Sequence, residues 1–305
     1  MDSPLSNKYL INIVGPTASG KTALSIELAQ YFSATIINFD SRQFYKEMKI
    51  GTAFPTTEEL NSAPHLLMGS KSIHEDFNSG KFESEALKLI EKLHQSDDVV
   101  ITVGGSGLYL KALLEGFDDL PKVDSSLRPF LQKEFESKGL VYLQNLLFQK
   151  DPVTFKTIDI NNHTRLIRAL EICIGTGKPY SNFKSNSKKE RPFKWLNLGL
   201  EWERELLYER INKRVDIMMK EGLLDEVKSL ASFQHLNALK TVGYSELFQY
   251  LDGNCSLEEA IELVKRNSRR YAKKQMTWFR NQMEVQWFTI AETAKIIESV
   301  ESQLI

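Results

Sequence analysis

Residues 15–22 read GPTASGKT, and this motif indicates the type of fold. It fits the phosphate-loop pattern of Gly, four variable residues, Gly, Lys and then Ser or Thr. Before it, residues 9–14 (YLINIV) form a β-prone apolar run; after it, residues 23–32 (ALSIELAQYF) place their apolar side chains on one helical face. The pattern predicts a strand, an anion-binding loop and a helix, which begin an α/β fold: a P-loop NTPase-like parallel sheet flanked by helices.

Backbone N–H groups of such a loop, together with the helix N-terminus, bind anions. In this loop Lys21 supplies a mobile cation, and the Thr22 hydroxyl can ligate Mg²⁺. The predicted phosphate-binding residues are Gly15, Pro16, Thr17, Ala18, Ser19, Gly20, Lys21 and Thr22. The motif does not identify the phosphate compound that binds. For a phosphate loop considered alone, a nucleoside triphosphate is the commonest ligand.

The composition is that of an ordinary globular protein: 305 residues, 42% hydrophobic and 26% charged. No apolar run approaches the roughly 20 residues of a membrane span, and the first ten residues lack the regions of a signal peptide. We therefore expect a cytoplasmic protein with no membrane partner. Cys173 and Cys255 have neither zinc-site nor redox-pair spacing, so we expect packed thiols.

The formal net charge of −1 conceals a segregated basic segment, residues 265–280 (KRNSRRYAKKQMTWFR), with seven basic residues and no acid. It predicts a helix with a local polyanion-binding face. Its aromatic residues Tyr271, Trp278 and Phe279 could stack on nucleic-acid bases or face the core.

Two further strands lead into polar or glycine-rich turns. Residues 34–39 (ATIINF) precede Asp40, and residues 98–103 (DVVITV) precede Gly104, Gly105 and Ser106. Open α/β sheets bind ligands past their strand ends, so Asp40 is a candidate for chemistry; a helix N-cap or an acid near Mg²⁺ is the alternative. The second strand lacks the closing acid of motor-type ATPases. Its glycines either let the backbone pass close to a ligand or only make a tight turn, and the Ser106 hydroxyl can touch phosphate or a carboxylate.

Composition then shifts, and we predict three parts: residues 1–117 as the first part of the core, 118–192 as a small inserted helical domain, and 193–305 as the return to the core with a helical C-terminal region. The insertion holds helical patterns at 127–137, 140–149 and 164–174 and a polar loop at 175–191. Arg165 and Arg168 point the same way on the third helix. They could clamp a phosphate or only pair with Glu171.

In the last part, residues 195–200 predict a strand that returns to the sheet, and a short strand is expected near 285–289. The predicted helices of this part cover residues 203–221, 223–231, 244–251 and 257–282.

Together these stretches resemble the tRNA dimethylallyltransferases, or tRNA isopentenyltransferases, of the bacterial type. The matching segments are GPTASGKT (15–22), DSRQFY (40–45), KIGTA (49–53), VGGSGLYLKALLEG (103–116), RLIRALE (165–171), TGKP (176–179), RVDIMMKEGLLDEV (214–227), VGY (242–244) and AKKQMTWFR (272–280). They follow the family's order along nearly the whole chain. A phosphate loop alone is common, whereas this combination is highly specific.

The resemblance implies transfer of a dimethylallyl group from dimethylallyl diphosphate to N6 of adenine 37 in tRNAs that read codons starting with U, with A36-A37 in the anticodon stem-loop. It implies that the phosphate loop holds the donor's diphosphate, with Lys21 and a Thr22-bound Mg²⁺ offsetting its charge. Asp40 is then the general base, and Ser106 stands where the family usually has Thr.

The same resemblance implies a set of tRNA contacts along the chain, with Arg128, Arg165 and Arg168 gripping the anticodon stem-loop from the insertion. The full set is Asp40, Ser41, Arg42, Gln43, Ser106, Arg128, Thr164, Arg165, Leu166, Ile167, Arg168, Lys240, Thr241, Val242, Gly243, Tyr244, Ser245, Lys273, Lys274, Gln275 and Arg280.

Four positions depart from the family's usual pattern. Phe54 stands where Lys is common, Leu66 and Gly69 replace a His and an Asp, and Asn162 replaces an Asp. None removes the base, the phosphate loop or the Thr22 ligand, but they can alter donor affinity, tRNA choice or turnover.

Two other functions remain open from the residues. One is a small-molecule kinase in which Arg165 and Arg168 form a lid over ATP. The other is an RNA-binding protein whose phosphate loop only fastens the fold. Nothing in the sequence demands more than a monomer.

Overall fold

The computed structural model describes residues 8–184 and 187–304. The predictions about the N-terminal start at 1–7, positions 185–186 of the polar loop and residue 305 lie outside the described residues. The chain divides into two compact units. The α/β unit comprises Met1–Glu115 and Glu190–Ile305, and the helical unit comprises Gly116–Lys189.

The α/β unit is built on a six-stranded parallel sheet, which confirms the predicted fold class. The strands are β1 (Tyr9–Val14), β2 (Thr35–Asn38), β3 (His65–Leu66), β4 (Val99–Val103), β5 (Lys194–Leu200) and β6 (Gln286–Phe288). Their order across the sheet is β3-β2-β4-β1-β5-β6. Since all strands run the same way, the loops that follow β1, β2 and β4 leave from one edge of the sheet.

Helices account for most of the rest of the chain. In the α/β unit they are α1 (Lys21–Phe32), α2 (Thr57–Ser62), α3 (Ser79–Leu93), α4 (Gly107–Glu115), α8 (Arg204–Lys220), α9 (Leu223–Ser229), α10 (Tyr244–Leu251), α11 (Leu257–Gln282) and α12 (Thr293–Glu301); in the helical unit they are α5 (Leu127–Lys150), α6 (Pro152–Thr157) and α7 (His163–Thr176). Short 3-10 turns cover Tyr180–Phe183, Ala231–Phe233, Asn237–Leu239 and Ile290–Glu292. Among the described residues, no helix combines the length and apolar character needed to cross a membrane.

Strand β1 shows how the sheet organises the core. All its residues are buried. Leu10 and Val14 belong to one apolar cluster, while Ile11 and Ile13 belong to another, because neighbouring side chains on a strand point to opposite faces. Both faces of the sheet are therefore covered, as expected for strands read as continuous apolar runs.

The helical unit has a core of its own, made mainly by α5 and α7. Helix α5 is interrupted at Gly139, whose φ of 78° breaks the helical backbone near the predicted division between residues 137 and 140. Asn162 caps α7 by accepting a hydrogen bond from the Arg165 N–H. Since Asn caps a helix as well as Asp does, this departure from the family's pattern preserves the start of the helix.

The apolar period of residues 82–93 (FESEALKLIEKL) predicts helix α3, whereas three other helices of the α/β unit are not predicted by the sequence. Helix α4 follows the glycine-rich turn and is apolar on most sides, with Leu110, Leu113 and Leu114 buried, so it lacks a clear helical period. Helix α2 has only six residues, and α12 buries Ile296 and Val300 near the end of the chain.

Candidate active site

The phosphate loop joins β1 to α1, and its conformation depends on its glycines. Gly15 has a φ of 145°, and a Cβ there would lie 2.9 Å from the Leu200 carbonyl oxygen. Gly20, with a φ of 96°, precedes α1, and no side chain caps the helix. The first N–H groups of α1 are therefore left for an anion.

Lys21 is held inside this loop. Its Nζ donates to the Pro16 carbonyl oxygen at 2.7 Å. Burial lowers the pKa of Lys21 to about 8, against the opposing effect of the Asp40 carboxylate. At neutral pH the side chain is thus a poorly solvated cation, which gains most from an anionic ligand.

Two side chains hold the backbone of the loop, Arg210 on α8 and Trp202 just before this helix. Arg210 Nε donates to the Ala18 carbonyl oxygen at 2.9 Å, and Trp202 Nε1 donates to the Ser19 carbonyl oxygen at 2.9 Å. The Arg210 guanidinium lies 4.3 Å from the centroid of the Trp202 ring. Two carbonyl oxygens of the loop are thus occupied by hydrogen bonds from these side chains.

A cavity of about 730 Å³ opens beside the loop. Lys21, Thr22, Asp40 and Arg214 are all among its lining residues. Arg214 has no hydrogen-bond or ion-pair partner within the described part of the chain, and burial, together with nearby Arg210, lowers its pKa against the effect of Glu59. An unpaired, poorly solvated guanidinium next to a phosphate loop is a ready partner for a second phosphate oxygen.

Asp40 is positioned by a tight turn at the end of β2. Its N–H donates to Asn38 Oδ1 at 2.9 Å, and its Oδ1 accepts from the Arg42 N–H at 3.0 Å. The Ser41 N–H donates to Ser106 Oγ at 2.9 Å, and Ser106 Oγ donates to Ser41 Oγ at 3.0 Å. Ser106 thus fixes the turn that carries Asp40, with its hydroxyl directed to Ser41.

The two glycines before Ser106 are needed for packing inside the protein. A Cβ at Gly104 would lie 2.7 Å from the Asp40 nitrogen, and one at Gly105 would lie 2.2 Å from Gln275 Nε2. Gln275 itself bridges two loops, since Oε1 accepts from the Thr17 N–H at 2.9 Å and Nε2 donates to the Gly105 carbonyl oxygen at 3.0 Å. The glycines therefore let three segments meet at Asp40.

Several predicted tRNA contacts are instead engaged within the fold. Gln275 is 5% exposed, with both ends of its amide bonded. Tyr244 is fully buried, and the side chains of Leu166 and Ile167 pack in the core of the helical unit. These four side chains are thus held inside the fold, and their contact with an RNA stays a prediction.

Two more predicted contacts stabilise turns beside Asp40. Gln43 Nε2 donates to the carbonyl oxygens of Thr52 and Ala53, both at 3.0 Å. One Arg42 guanidinium nitrogen donates to the carbonyl oxygens of Asn237 and Ala238, also at 3.0 Å. Both still line the cavity.

The remaining predicted contacts lie in two places. In the helical unit, Arg128 and Arg168 both bind the buried Glu171 carboxylate, Arg128 with two bonds of 2.7 and 2.9 Å, and both arginines stay about half exposed. Thr164 and Arg165 are exposed beside them. In the α/β unit, Thr241, Val242 and Gly243 line the cavity, Lys240, Lys273 and Lys274 are exposed, Ser245 is partly buried, and Arg280 pairs with Glu201 at 2.9 Å.

Arg210, Arg214 and Tyr271 are among the cavity residues that sequence reasoning missed. The two arginines are four residues apart in a helix that the periodicity predicted, so they share a face, and this was the available signal. Tyr271 was noted only as an aromatic residue with two possible orientations.

Residues 49–51 form another part of the cavity wall, and Glu226 holds them in place. Its carboxylate accepts from the N–H groups of Lys49, Ile50 and Gly51 at 2.8–2.9 Å and from the Tyr244 hydroxyl at 2.6 Å. Four donors converge on one carboxylate, which anchors this wall to α9.

We expect Glu226→Gln to lower the free energy of unfolding by about 2 kcal/mol, because an amide nitrogen cannot accept the hydrogen bonds that one carboxylate oxygen now accepts. Urea unfolding measures the change. Glu209→Gln, at an exposed position of α8, is the matched control and should change stability by less than about 0.5 kcal/mol. Equal stability of the two variants would contradict the anchoring role.

The departures at Phe54 and Gly69 are adjacent in space. A Cβ at Gly69, whose φ is +56°, would lie 3.1 Å from the Phe54 ring, and Phe54 lines the cavity. An aromatic ring over a glycine thus occupies the place where the family's pattern has a Lys and an Asp.

Known proteins resemble this chain along almost its whole length. It is 50% identical over 299 residues to the tRNA dimethylallyltransferase of Christiangramia forsetii (98% of this chain, 99% of the relative) and 49% identical over 298 residues to that of Cytophaga hutchinsonii (98% of each). The crystal structure of a tRNA isopentenylpyrophosphate transferase from Bacillus halodurans superimposes with a TM-score of 0.72, at 40% identity and 97% of both chains.

A eukaryotic dimethylallyltransferase described as acting on tRNA gives a TM-score of 0.76 at 31% identity, covering 93% of this chain and 75% of that one. Residues 43–282 match the IPP transferase family. The phosphate loop, the Asp40 turn and the long basic helix therefore occur here in the context of one family, and the chain belongs to the IPP transferase family.

Proposed function

We propose that this protein is a tRNA dimethylallyltransferase: it transfers the dimethylallyl group of dimethylallyl diphosphate to N6 of adenine 37 in tRNAs that read codons starting with U. The observation that carries the proposal is one cavity shared by a phosphate loop, two poorly solvated cations and a carboxylate. The cations fit the donor's diphosphate, and the carboxylate fits the acceptor's amine.

In this reaction the C1–O bond of the donor breaks and an N6–C1 bond forms. The electron pair of the broken bond leaves with the diphosphate, whose growing charge Lys21 and Arg214 stabilise. Asp40 takes the proton that N6 loses. The Ser106–Ser41 bonds keep the Asp40 turn in place. No phosphoryl group moves, which agrees with a site lacking the closing acid after β4.

Magnesium ion fits the Thr22 hydroxyl, an oxygen donor that lines the cavity beside the phosphate loop. In proteins Mg²⁺ binds through few protein ligands together with water and substrate phosphates. Bound by Thr22 and the donor, it would neutralise charge on the leaving diphosphate.

The tRNA would bind on exposed basic residues. On α11, Arg266, Arg270, Lys273 and Lys274 are exposed, at positions that form one helical stripe. In the helical unit, Arg128 and Arg168 are oriented by Glu171, and we propose this unit as the part that grips the anticodon stem-loop. We also propose that the enzyme works as a monomer in the cytoplasm.

We expect the double variant Arg270→Ala/Lys274→Ala to weaken binding of an anticodon stem-loop about tenfold at 0.1 M salt. The slope of log affinity against log salt should also fall by about 1 to 2, because fewer phosphates are neutralised. Fluorescence anisotropy across a salt series measures both.

The control is Lys88→Ala/Lys92→Ala, which removes two exposed lysines with the same spacing from α3. The control pair should bind like the parent. If both double variants lose the same affinity, the protein's total charge matters and α11 is not the contact surface.

One product assay separates the proposal from its rivals. The protein is incubated with unmodified tRNA bearing A36-A37, dimethylallyl diphosphate and Mg²⁺, and the nucleosides are examined for N6-dimethylallyladenosine. Product supports the proposal. Use of ATP on a small acceptor, or RNA binding with no transfer, contradicts it.

A further inference from the structure

Tyr271 lies on the face of α11 that lines the cavity, with Val264, Ser268 and Gln275. These positions are separated by four, three and four residues, so they share one helical face. The exposed basic residues of the same helix lie at other positions. Helix α11 thus presents one face to the cavity and another to solvent.

Tyr271 lies one helical turn before Gln275, whose Nε2 donates to the carbonyl oxygen of Gly105 next to the Asp40 turn. Burial, with the negative charge of Asp40 nearby, raises the pKa of Tyr271. The residue is nevertheless 38% exposed. Part of its side chain is therefore open to a ligand in the cavity.

Among the described residues, one phenylalanine and one tyrosine line the cavity, Phe54 and Tyr271. Phe54 packs against Gly69, and Lys49 Nζ lies 6.0 Å from its ring centroid. Tyr271 lines the same cavity as Asp40 and is close enough to Asp40 to be affected by its charge. A purine whose amine reaches Asp40 therefore lies beside the ring of Tyr271.

We propose that the ring of Tyr271 is the surface on which the acceptor adenine stacks while its amine reaches Asp40. The inference rests on the proposed function and identifies a further contact of the same site. Flat aromatic rings bind unpaired bases by stacking, and a ring carried by a long helix presents its surface at a set place in the cavity. Loss of the ring leaves the base free to tilt away from the carboxylate, which lowers the fraction of productive complexes.

The test compares Tyr271→Phe, which keeps the ring, with Tyr271→Leu, which removes it and keeps an apolar side chain. Tyr31→Ala is the control, because Tyr31 is an exposed tyrosine on α1 whose hydroxyl binds Glu301 outside the site. For Tyr271→Leu we expect kcat/KM for an A36-A37 anticodon stem-loop to fall tenfold or more, with KM for the donor unchanged. Tyr271→Phe should stay within threefold of the parent, and Tyr31→Ala should match it.

A second readout follows stacking directly. An anticodon stem-loop with 2-aminopurine at position 37 loses fluorescence when that base stacks on an aromatic ring. Binding to the parent and to Tyr271→Phe should quench it, whereas binding to Tyr271→Leu should leave it bright. Equal quenching and equal kcat/KM for the parent and Tyr271→Leu would overturn the inference, as would a loss in Tyr271→Phe as large as in Tyr271→Leu.

The experiments distinguish a failure of the proposed function from a failure of the role proposed for Tyr271. If the parent transfers no prenyl group, the proposed function fails, and the fluorescence comparison still decides whether a base stacks on Tyr271. If the parent transfers the group but ring loss changes neither readout, only the role of Tyr271 fails.

Discussion

Replacing Asp40 by Asn is expected to lower kcat for prenyl transfer about 100-fold or more, because an amide cannot take the N6 proton and a positioned general base contributes roughly that much. The substitution keeps the local geometry, since an Asn Oδ1 can still accept from the Arg42 N–H as Asp40 does now. Affinity for the tRNA and for the donor should change by no more than about threefold. Single-turnover assays with saturating enzyme separate this step from binding.

Asp225→Asn is the matched control, because Asp225 is an exposed acid on α9 that pairs with Lys228. It should transfer at the parent rate. If Asp40→Asn also turned over at the parent rate, Asp40 would not be the base, whatever its position in the cavity.

Replacing Lys21 by Met is expected to lower kcat/KM for the donor about 100-fold, because a buried cation facing a diphosphate contributes several kcal/mol. Methionine fills similar space without the charge. Without donor, the free energy of unfolding of the same variant should be higher than that of the parent by about 1 to 3 kcal/mol at pH 7. Burial lowers the pKa of Lys21 to about 8, which means that the folded state disfavours the charged form that methionine removes. In the parent, the free energy that folding loses by burying this charge lessens as pH rises from about 8, the pKa of Lys21 in the folded protein, toward its ordinary pKa of 10.5.

Weaker use of the donor together with a higher free energy of unfolding would identify Lys21 as a ligand-binding cation. Replacing a lysine with a purely structural role would instead lower the stability of the protein. Donor affinity and urea unfolding are measured on the same samples, with Lys220→Met, at an exposed position of α8, as control. Unchanged donor affinity in Lys21→Met would contradict the assignment of the loop to the diphosphate.

The sheet and its main helices were predictable because their signals are local. Strands β1, β4 and β5 are largely apolar, and the long helices have regular apolar periods. The phosphate-loop motif itself predicts a strand before it and a helix after it. The order of strands was not predictable in the same way. It depends on pairings such as β1 with β5, whose partners Tyr9 and Lys194 are far apart in sequence.

The candidate site was predictable only in part. Lys21, Thr22 and Asp40 follow from motifs and strand ends, and the cavity does bring them together. Gln275 shows why the rest could not be inferred: its neighbours Thr17 and Gly105 are distant in sequence, and only the fold reveals that it ties them together. In the sequence, a polar residue that contacts a ligand therefore cannot be distinguished from one that supports the loops that contact it.

The glycines at 104 and 105 illustrate the same limit. Their small size was attributed either to a ligand or to a tight turn, whereas the structure shows them making room for Asp40 and Gln275. The helical unit adds a further case, because the sequence leaves open whether Arg165 and Arg168 clamp a phosphate or only pair with Glu171. Arg168 pairs with Glu171 and remains about half exposed, whereas Arg165 is exposed on the same helix.

In the proposed reaction the phosphate loop holds a prenyl diphosphate whose carbon, not its phosphorus, is attacked. Dimethylallyl diphosphate labelled in the prenyl carbon and, separately, in phosphorus distinguishes the two, with A36-A37 tRNA as acceptor. We expect the carbon label to enter N6-dimethylallyladenosine and all the phosphorus label to be released as diphosphate. Phosphorus label on the RNA, or no carbon label in it, would contradict prenyl transfer at this site.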